Sequence, residues 1–224
     1  MRTPREIYEA YRIMPILDTH QLRVASVAKM ICDSFANSTD SPIDARSIIL
    51  TALFHDMGNI IKSNLDYFPD LFKDQEERAY WEKVKQEYIE KYGVNEHYAA
   101  LAITEELGLS EVVRRYIAGI GFSNVKTTRD SGSYEEKICE YADLRVGPFG
   151  VLTLEGRITD IQTRYAGRRH AAVPDDENEF NELKQAAFEM EGQIFAKTSI
   201  KPEDINDASV APLIEELRDY QVLQ

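Results

Sequence analysis

The sequence is poor in the residues that mark secreted, membrane-bound or nucleic-acid-binding proteins. Its two cysteines, Cys32 and Cys139, lie in apolar helical patterns, which favours buried free thiols over a disulfide framework. The 26 lysines and arginines are outnumbered by 39 aspartates and glutamates, so the basic excess needed for nonspecific nucleic-acid binding is lacking. No apolar run approaches the roughly 20 residues of a membrane span, and no signal-peptide pattern is present. We expect a cytoplasmic protein without a membrane partner.

Strand patterns are also lacking, because nearly every segment has helical period and no internal repeat is present. Helices are predicted at 3–14 and 18–36, and the more uniformly apolar stretch 43–58 predicts a central helix packed on several sides. Residues 60–74 are interpreted as a loop, and 124–133 and 171–176 as short linkers. The N-caps expected for the later helices are Asn95, Ser110, Ser133 and Thr153. The pattern predicts an all-α, single-domain helical bundle of about ten helices.

Histidine is scarce too, with four in the chain, and three of them fall on or near apolar helical faces. These are His20, His55 and His97; Asp56 adjoins His55, and Asp143 interrupts another helix. A helical bundle can gather such side chains around one ion, because each helix aims a ligand inward. Imidazoles and carboxylates together suit manganese, iron, cobalt, nickel or zinc, with magnesium less well matched. An ion held in this way activates water and draws charge from a phosphoryl oxygen.

Three short stretches give these residues a recognisable order. They are "THQLRVA" with His20, "ALFHDMGN" with His55 and Asp56, and "EYADLRV" with Asp143. In order and helical context they resemble the HD superfamily of metal-dependent phosphohydrolases, over about residues 18–146. The resemblance implies that His20, His55, Asp56 and Asp143 bind one divalent metal ion. His55 and Asp56 are called the doublet below. We interpret Gly58 as the residue that ends the helix carrying this doublet and lets the chain turn away.

The resemblance also suggests roles for residues around the four ligands. His97 matches a histidine that binds a second metal or the substrate phosphate in some branches of the family. No histidine follows in "YIAGIGFSNV", which argues against a stable dinuclear site. Asn59 stands where many relatives have lysine or glutamate, and neutral asparagine is no general base. Lys62, in the predicted loop after the doublet, is a candidate to supply charge to the substrate.

Beyond the resemblance, two arginines are candidates for phosphate binding. Arg164 and Arg168 lie four apart on one predicted helical face, and a guanidinium fork suits phosphate; the alternative is a solvated face paired with Asp160. His170 is interpreted as a solvated cation at a helix end and is left out of the site. Trp81 and the aromatic stretch 66–72 are interpreted as core and lid packing, with base stacking as the alternative.

The function expected from these residues is hydrolysis of a nucleotide or another small phosphate ester or anhydride. Two alternatives stay open: an iron oxygenase on the same scaffold, and an inactive sensor or scaffold protein. The oxygenase relatives carry further histidines soon after the doublet, where this chain has Met57 to Ile60, and loss of activity conflicts with the presence of all four ligands. We expect an HD-like core at about 16–147 and a C-terminal helical extension at 153–224.

Overall fold

The computed structural model describes residues 2–35, 42–66, 72–165, 174 and 176–222. Within these ranges the chain forms eleven α-helices and no strand. The helices are α1 Pro4–Ala10, α2 Pro15–Ser34, α3 Ala45–Phe54, α4 Gln75–Tyr92, α5 Glu96–Glu106, α6 Glu111–Gly119, α7 Val125–Asp130, α8 Tyr134–Asp143, α9 Leu154–Tyr165, α10 Glu177–Phe195 and α11 Asp207–Arg218. The all-α prediction of about ten helices is confirmed.

Helix starts follow the capping chemistry in the sequence. Asn95, Ser110 and Ser133 each accept a hydrogen bond from a backbone N–H in the first turn of the following helix. The boundary between α1 and α2 differs from the prediction, since α1 ends at Ala10 and Arg12 adopts a left-handed backbone with φ of 52°. Helix α2 then begins at Pro15, because proline fits the first helical position without losing a hydrogen bond.

The centre of the fold is α3, as its uniform apolarity predicts. Every residue from Ser47 to Phe54 is buried. Helix α2 packs along α3, and both also contact α8. These three helices therefore form one buried layer, in which the ends of α3 and α8 lie against the first half of α2.

Two of the predicted irregular segments contain helices. Residues 124–133, interpreted as a linker, contain α7, which packs against α10 and α8; the linker prediction is wrong because Val125 and Thr128 are buried on one face of a short helix. In the predicted loop after the doublet, Asn59–Ile61 forms one turn of 3-10 helix that packs against α4 and α5. The other predicted linker, 171–176, lies almost entirely outside the described residues.

The C-terminal helices pack back onto the earlier part of the chain. Helix α11 lies along α2, and Arg218 Nη1 is 2.8 Å from Asp18 Oδ1. The N–H of Val222 donates to the carbonyl of Arg2 at 3.1 Å. Cys32 and Cys139 are free thiols, as predicted, but Cys139 is buried whereas Cys32 is only partly buried. Trp81 is buried, as predicted. Among the described helices none is both long and apolar enough to cross a bilayer.

Candidate metal centre

The four predicted metal ligands lie at the place where α2, α3 and α8 meet. His20 lies in the second turn of α2, and Asp143 is the last residue of α8. Helix α3 ends at Phe54, so His55 caps it and Asp56 begins the turn that follows. A helix end allows two consecutive residues to point toward one place, because the backbone leaves the helical path after the first of them.

Short distances connect the two imidazoles to the two carboxylates. His20 Nε2 is 3.2 Å from Asp143 Oδ1 and 3.4 Å from Asp56 Oδ2. His55 Nε2 is 3.3 Å from the same Asp143 oxygen and 3.6 Å from Asp56 Oδ1. The structure thus brings together the side chains that the sequence predicts, although 123 positions separate His20 from Asp143.

A backbone carbonyl fixes the orientation of the His55 ring. Its Nδ1 lies 2.9 Å from the carbonyl oxygen of Ala52, and a carbonyl can only accept, so Nδ1 carries the proton. Nε2 is therefore the nitrogen that faces the carboxylates, and its lone pair is available to a metal ion when the ring is neutral. This nitrogen is buried, and within the described part of the chain its long contacts with Asp143 and Asp56, at 3.3 and 3.6 Å, do not form a well-aligned hydrogen bond, which is unusual for a buried polar atom. A histidine that binds a metal through one ring nitrogen usually donates a hydrogen bond from the other, as Nδ1 does here to the backbone.

The electrostatics of the cluster favour a positive charge beside the carboxylates. Burial lowers the pKa of His55, but the charge of Asp56 and the hydrogen bond and charge of Asp143 outweigh it and raise this pKa to about 9. Burial also acts to raise the pKa of Asp143, yet the two histidines hold it well below its usual value. In the chain alone a proton on His55 meets this demand, and a bound cation would replace that proton.

The spacing of the donor atoms fits one small metal ion. His20, His55 and Asp143, here called the triad, each offer a ligand atom within 4.8 Å of the others. Neighbouring ligands around one ion at 2.0–2.2 Å lie about 3.0–3.4 Å apart, and the measured separations of 3.2 and 3.3 Å agree. Asp56 falls outside this compact triad, but its two oxygens lie close to both histidines. The donor set fits a divalent transition metal.

Comparison with known proteins places the chain in a family. Residues 17–142 match the family model described as HD domain, which is more than half of the 224-residue chain. The chain belongs to the HD domain family. Neither the curated proteins nor the solved structures provide a match. Asp143 lies one residue beyond the matched range, so its place in this HD domain rests on its contacts with His20 and His55.

Gly58 has a different role in this HD domain from the one predicted. The helix already ends at Phe54, and Gly58 has φ of −92°, which any residue can adopt. A Cβ at this position would collide with the carbonyl oxygen of Glu96 and would lie 2.8 Å from Ala99 Cβ. Glycine is required because the first turn of α5 packs directly on the turn that carries Asp56. This close approach places the helix of His97 beside the doublet.

The other predicted site residues differ in their surroundings. Asn59 is buried in the turn after the doublet, where its N–H donates to the carbonyl of Asp56 at 3.0 Å. Lys62 is paired with Glu96 on α5 at 3.3 Å. His97 is half-buried in the first turn of α5 and is outside the triad. Arg164 Nη2 is 2.7 Å from Asp160 Oδ2 on α9. Arg168 lies outside the described residues, and the substrate roles of all five stay predictions.

One acidic residue near the site was missed by the sequence analysis. Glu140 is on α8, one turn before Asp143, and is 1% exposed. Burial raises the pKa of Glu140 to about 8, against the opposing hydrogen bond from the N–H of Gly121. Its Oε1 is buried and has no hydrogen-bond partner among the described residues. The sequence does contain a signal for it, because Glu140 precedes Asp143 by three positions and so shares its helical face.

Proposed function

We propose that this HD domain is a metal-dependent phosphohydrolase acting on a nucleotide or another small phosphate ester or anhydride. The observation that carries the proposal is the convergence of His20, His55, Asp56 and Asp143 around the buried His55 Nε2, which makes no well-formed hydrogen bond to any described residue. Such an atom is costly unless a ligand meets it. Family membership supports the same class of reaction.

In the proposed reaction these four residues hold one divalent ion, with manganese, iron, cobalt, nickel and zinc as the candidates and magnesium less well matched. The ion supplies an activated water and withdraws charge from the phosphoryl group. His55 is held in the required tautomer by the carbonyl of Ala52. Asp56 and Asp143 balance the positive charge and keep the ion in place.

We expect the substrate phosphate to be bound by the first turn of α5 and by the turn that follows His55 and Asp56. His97 lies in the first turn of α5, where the free backbone N–H groups of a helix favour an anion. Lys62 is held at the same turn by Glu96. We expect His97 and Lys62 to act on the substrate phosphate, with a second metal at His97 as the other outcome. Neutral Asn59 takes no part in proton transfer.

Metal analysis combined with a substrate panel tests this proposal. The purified protein is stripped with a chelator and reloaded separately with each candidate metal. Each form is assayed on phosphate monoesters, phosphodiesters and nucleoside mono-, di- and triphosphates. We expect about one ion per chain and hydrolysis that disappears on chelation and returns on reloading, as the ligand set predicts.

A pair of histidine variants makes the test specific. His20→Ala removes a ligand of the triad, whereas His170→Ala removes a histidine that the proposal leaves out of the site. We expect the first to lose metal and activity and the second to keep both. Full metal occupancy in His20→Ala, or no hydrolysis of any substrate by the reloaded protein, would contradict the proposal.

A further inference from the structure

A cavity of about 510 Å³ lies beside α9 and α11. It is formed by the loop 147–152 between α8 and α9, together with Asp160, Arg164 and Asp207. This volume is in the range of pockets that bind small organic molecules. The loop begins after residue 142, so this wall lies outside the part of the chain that matches the HD family model.

Two segments of the chain connect the cavity to the metal centre. Gly147 follows Asp143 by four positions, and four residues span at most about 14 Å even when fully extended. Arg23 lies three positions after His20 on α2, which places it one turn along the same helical face. Its Nε is 3.9 Å from Asp207 Oδ1, an atom of a cavity residue. The loop that lines the cavity therefore starts within about 14 Å of Asp143, a distance that a nucleotide can span in part.

The loop that forms the cavity is held in one shape by its own bonds. Val146 and Val151 form an antiparallel bridge, and Gly147 N–H donates to the carbonyl of Gly150 at 2.8 Å. The N–H of Val151 donates to Asp207 Oδ1 at 3.0 Å. A Cβ on Gly150 would lie 2.6 Å from Asp207 Oδ2, so glycine allows this contact. The cavity wall is thus built before any ligand arrives, which reduces the entropic cost of binding.

The lining favours an uncharged, flat group over a phosphate. Pro148, Val151 and Leu152 supply apolar surface, and Phe149 as a residue is 66% exposed. The guanidinium of Arg164 is paired with Asp160, so the described lining residues carry no excess positive charge for an anion. The carboxylates instead suit ligand N–H and O–H groups. An exposed aromatic ring beside apolar walls can stack on a nucleobase.

From this arrangement we infer that the cavity binds the nucleoside part of a nucleotide whose phosphate lies at the metal centre, with Phe149 stacking on the base. The inference rests on the proposed phosphohydrolase function and narrows its substrate class. It makes Phe149 a specificity residue, which contacts the substrate away from the reacting phosphorus. Other small phosphate esters would then be poorer substrates, because they leave the cavity without a partner.

Matched substrates with and without a base test the inference. Adenosine 5′-monophosphate is compared with ribose 5-phosphate, and adenosine 5′-triphosphate with inorganic tripolyphosphate, using the metal-loaded full chain. The variants are Phe149→Ala, Phe149→Trp and the control Tyr80→Ala, which removes an exposed aromatic ring that does not line the cavity. If the substrate panel shows that the enzyme hydrolyses a nucleotide with another base faster, that base replaces adenine in both comparisons.

We expect Phe149→Ala to lower kcat/KM for the nucleotide about tenfold, the effect of losing one stacking side chain. Hydrolysis of the base-free substrate should be unchanged, Phe149→Trp should keep the wild-type preference, and Tyr80→Ala should match the wild type. An equal loss on both substrates, or no loss on either, would overturn the inference and leave the proposed function standing. Absence of hydrolysis on every substrate would instead contradict the proposed function.

A binding measurement keeps the inference testable without any activity. Adenosine, guanosine, cytidine and uridine carry no phosphate, so each is titrated into the chelator-treated protein and followed by NMR. We expect at least one nucleoside to bind to the wild type and to Tyr80→Ala, and to bind at least several-fold more weakly to Phe149→Ala. Failure of all four to bind, or unchanged binding in Phe149→Ala, would overturn the nucleoside assignment.

Discussion

Two charged residues near the end of α8 have opposite kinds of surroundings, although they are only two positions apart. Arg145 is 1% exposed. Its guanidinium donates to the carbonyls of Leu152, Pro202 and Ile205 and to the hydroxyl of Tyr141. These acceptors come from three parts of the chain, so Arg145 fastens the C-terminal segment and the cavity loop to α8. The chain itself meets the hydrogen-bonding needs of this buried cation.

The cluster around Asp143 is different. Its carboxylate lies between His20 and His55, and Asp56 places a second carboxylate beside the same two rings. Among the described residues none forms a well-aligned hydrogen bond with His55 Nε2, so the cluster is incomplete. The contrast teaches how to separate the two kinds of buried charge: a charge whose partners are complete within the chain maintains the fold, whereas an incomplete cluster is suited to a ligand.

The largest expected effect comes from the incomplete cluster. Asp143→Ala removes the carboxylate that contacts both histidines, and we expect at least about a hundredfold loss of activity, since even loss of an indirect support of a metal ligand costs 10–100-fold. The fold should persist. Activity assays and metal content measure the effect, with the exposed Asp33→Ala as control. If Asp143→Ala stays active and keeps its metal, Asp143 does not belong to the metal centre.

Arg145→Met should have the opposite profile. Loss of the guanidinium leaves the carbonyls of Leu152 and Ile205 and the buried phenol of Tyr141 without this donor, whereas the Pro202 carbonyl keeps the N–H of Ile205. We expect this to lower the free energy of unfolding by about 3–5 kcal/mol. The metal content of the protein that still folds should be normal. Urea denaturation measures the change, and Arg5→Met, which removes an exposed ion pair with Asp219, serves as control. If both variants unfold at the wild-type urea concentration, Arg145 does not fasten the fold.

Gly58→Ala tests the contact that joins the doublet turn to α5. The added methyl group must displace the backbone at Glu96 and Ala99, so we expect a loss of about 1–3 kcal/mol in stability. Gly192→Ala is the matched control, because a Cβ at that helical position meets nothing within 4 Å. It should be neutral or slightly stabilising. Equal denaturation curves for the two variants would show that α5 can shift without cost.

The smallest effect is expected at His97. His97→Ala should keep one tightly bound metal ion, because His97 lies outside the triad. Activity should fall several-fold, because the variant lacks the proposed phosphate contact at the start of α5. Metal content and kcat/KM are measured on the same sample. If the primary metal is lost in this variant, His97 is a ligand of that metal and the metal centre is larger than the four residues assigned to it.

The sequence predicted the parts of the site that depend on helical position. His20, His55, Asp56 and Asp143 could be recognised because each interrupts an apolar helical face in a characteristic order. The helices themselves were predictable from caps such as Asn95 and Ser110, whose chemistry is local. Local patterns therefore predicted the helices and the four residues that the structure brings together.

The features that depend on contacts between distant segments could not be predicted. The reason for glycine at position 58 is the backbone of α5, about 40 positions away in sequence. The role of Arg145 depends on the carbonyls of Pro202 and Ile205. The helix at Val125–Asp130 was missed because its polar sequence resembles a linker and its burial comes from packing against α10. Tertiary packing decided each of these points.

The central claim is that the incomplete cluster binds a metal ion in the folded chain, and it is tested most directly by thermal stability. Melting temperatures are compared for chelator-treated and metal-reloaded wild type and Asp56→Ala. A ligand that binds only the native state stabilises it by about 2.7 kcal/mol at a hundredfold excess over its dissociation constant. We predict a clear rise for the wild type and little or none for Asp56→Ala at the same metal concentration. An equal rise in both proteins, or no rise in the wild type despite confirmed rebinding, would contradict the account.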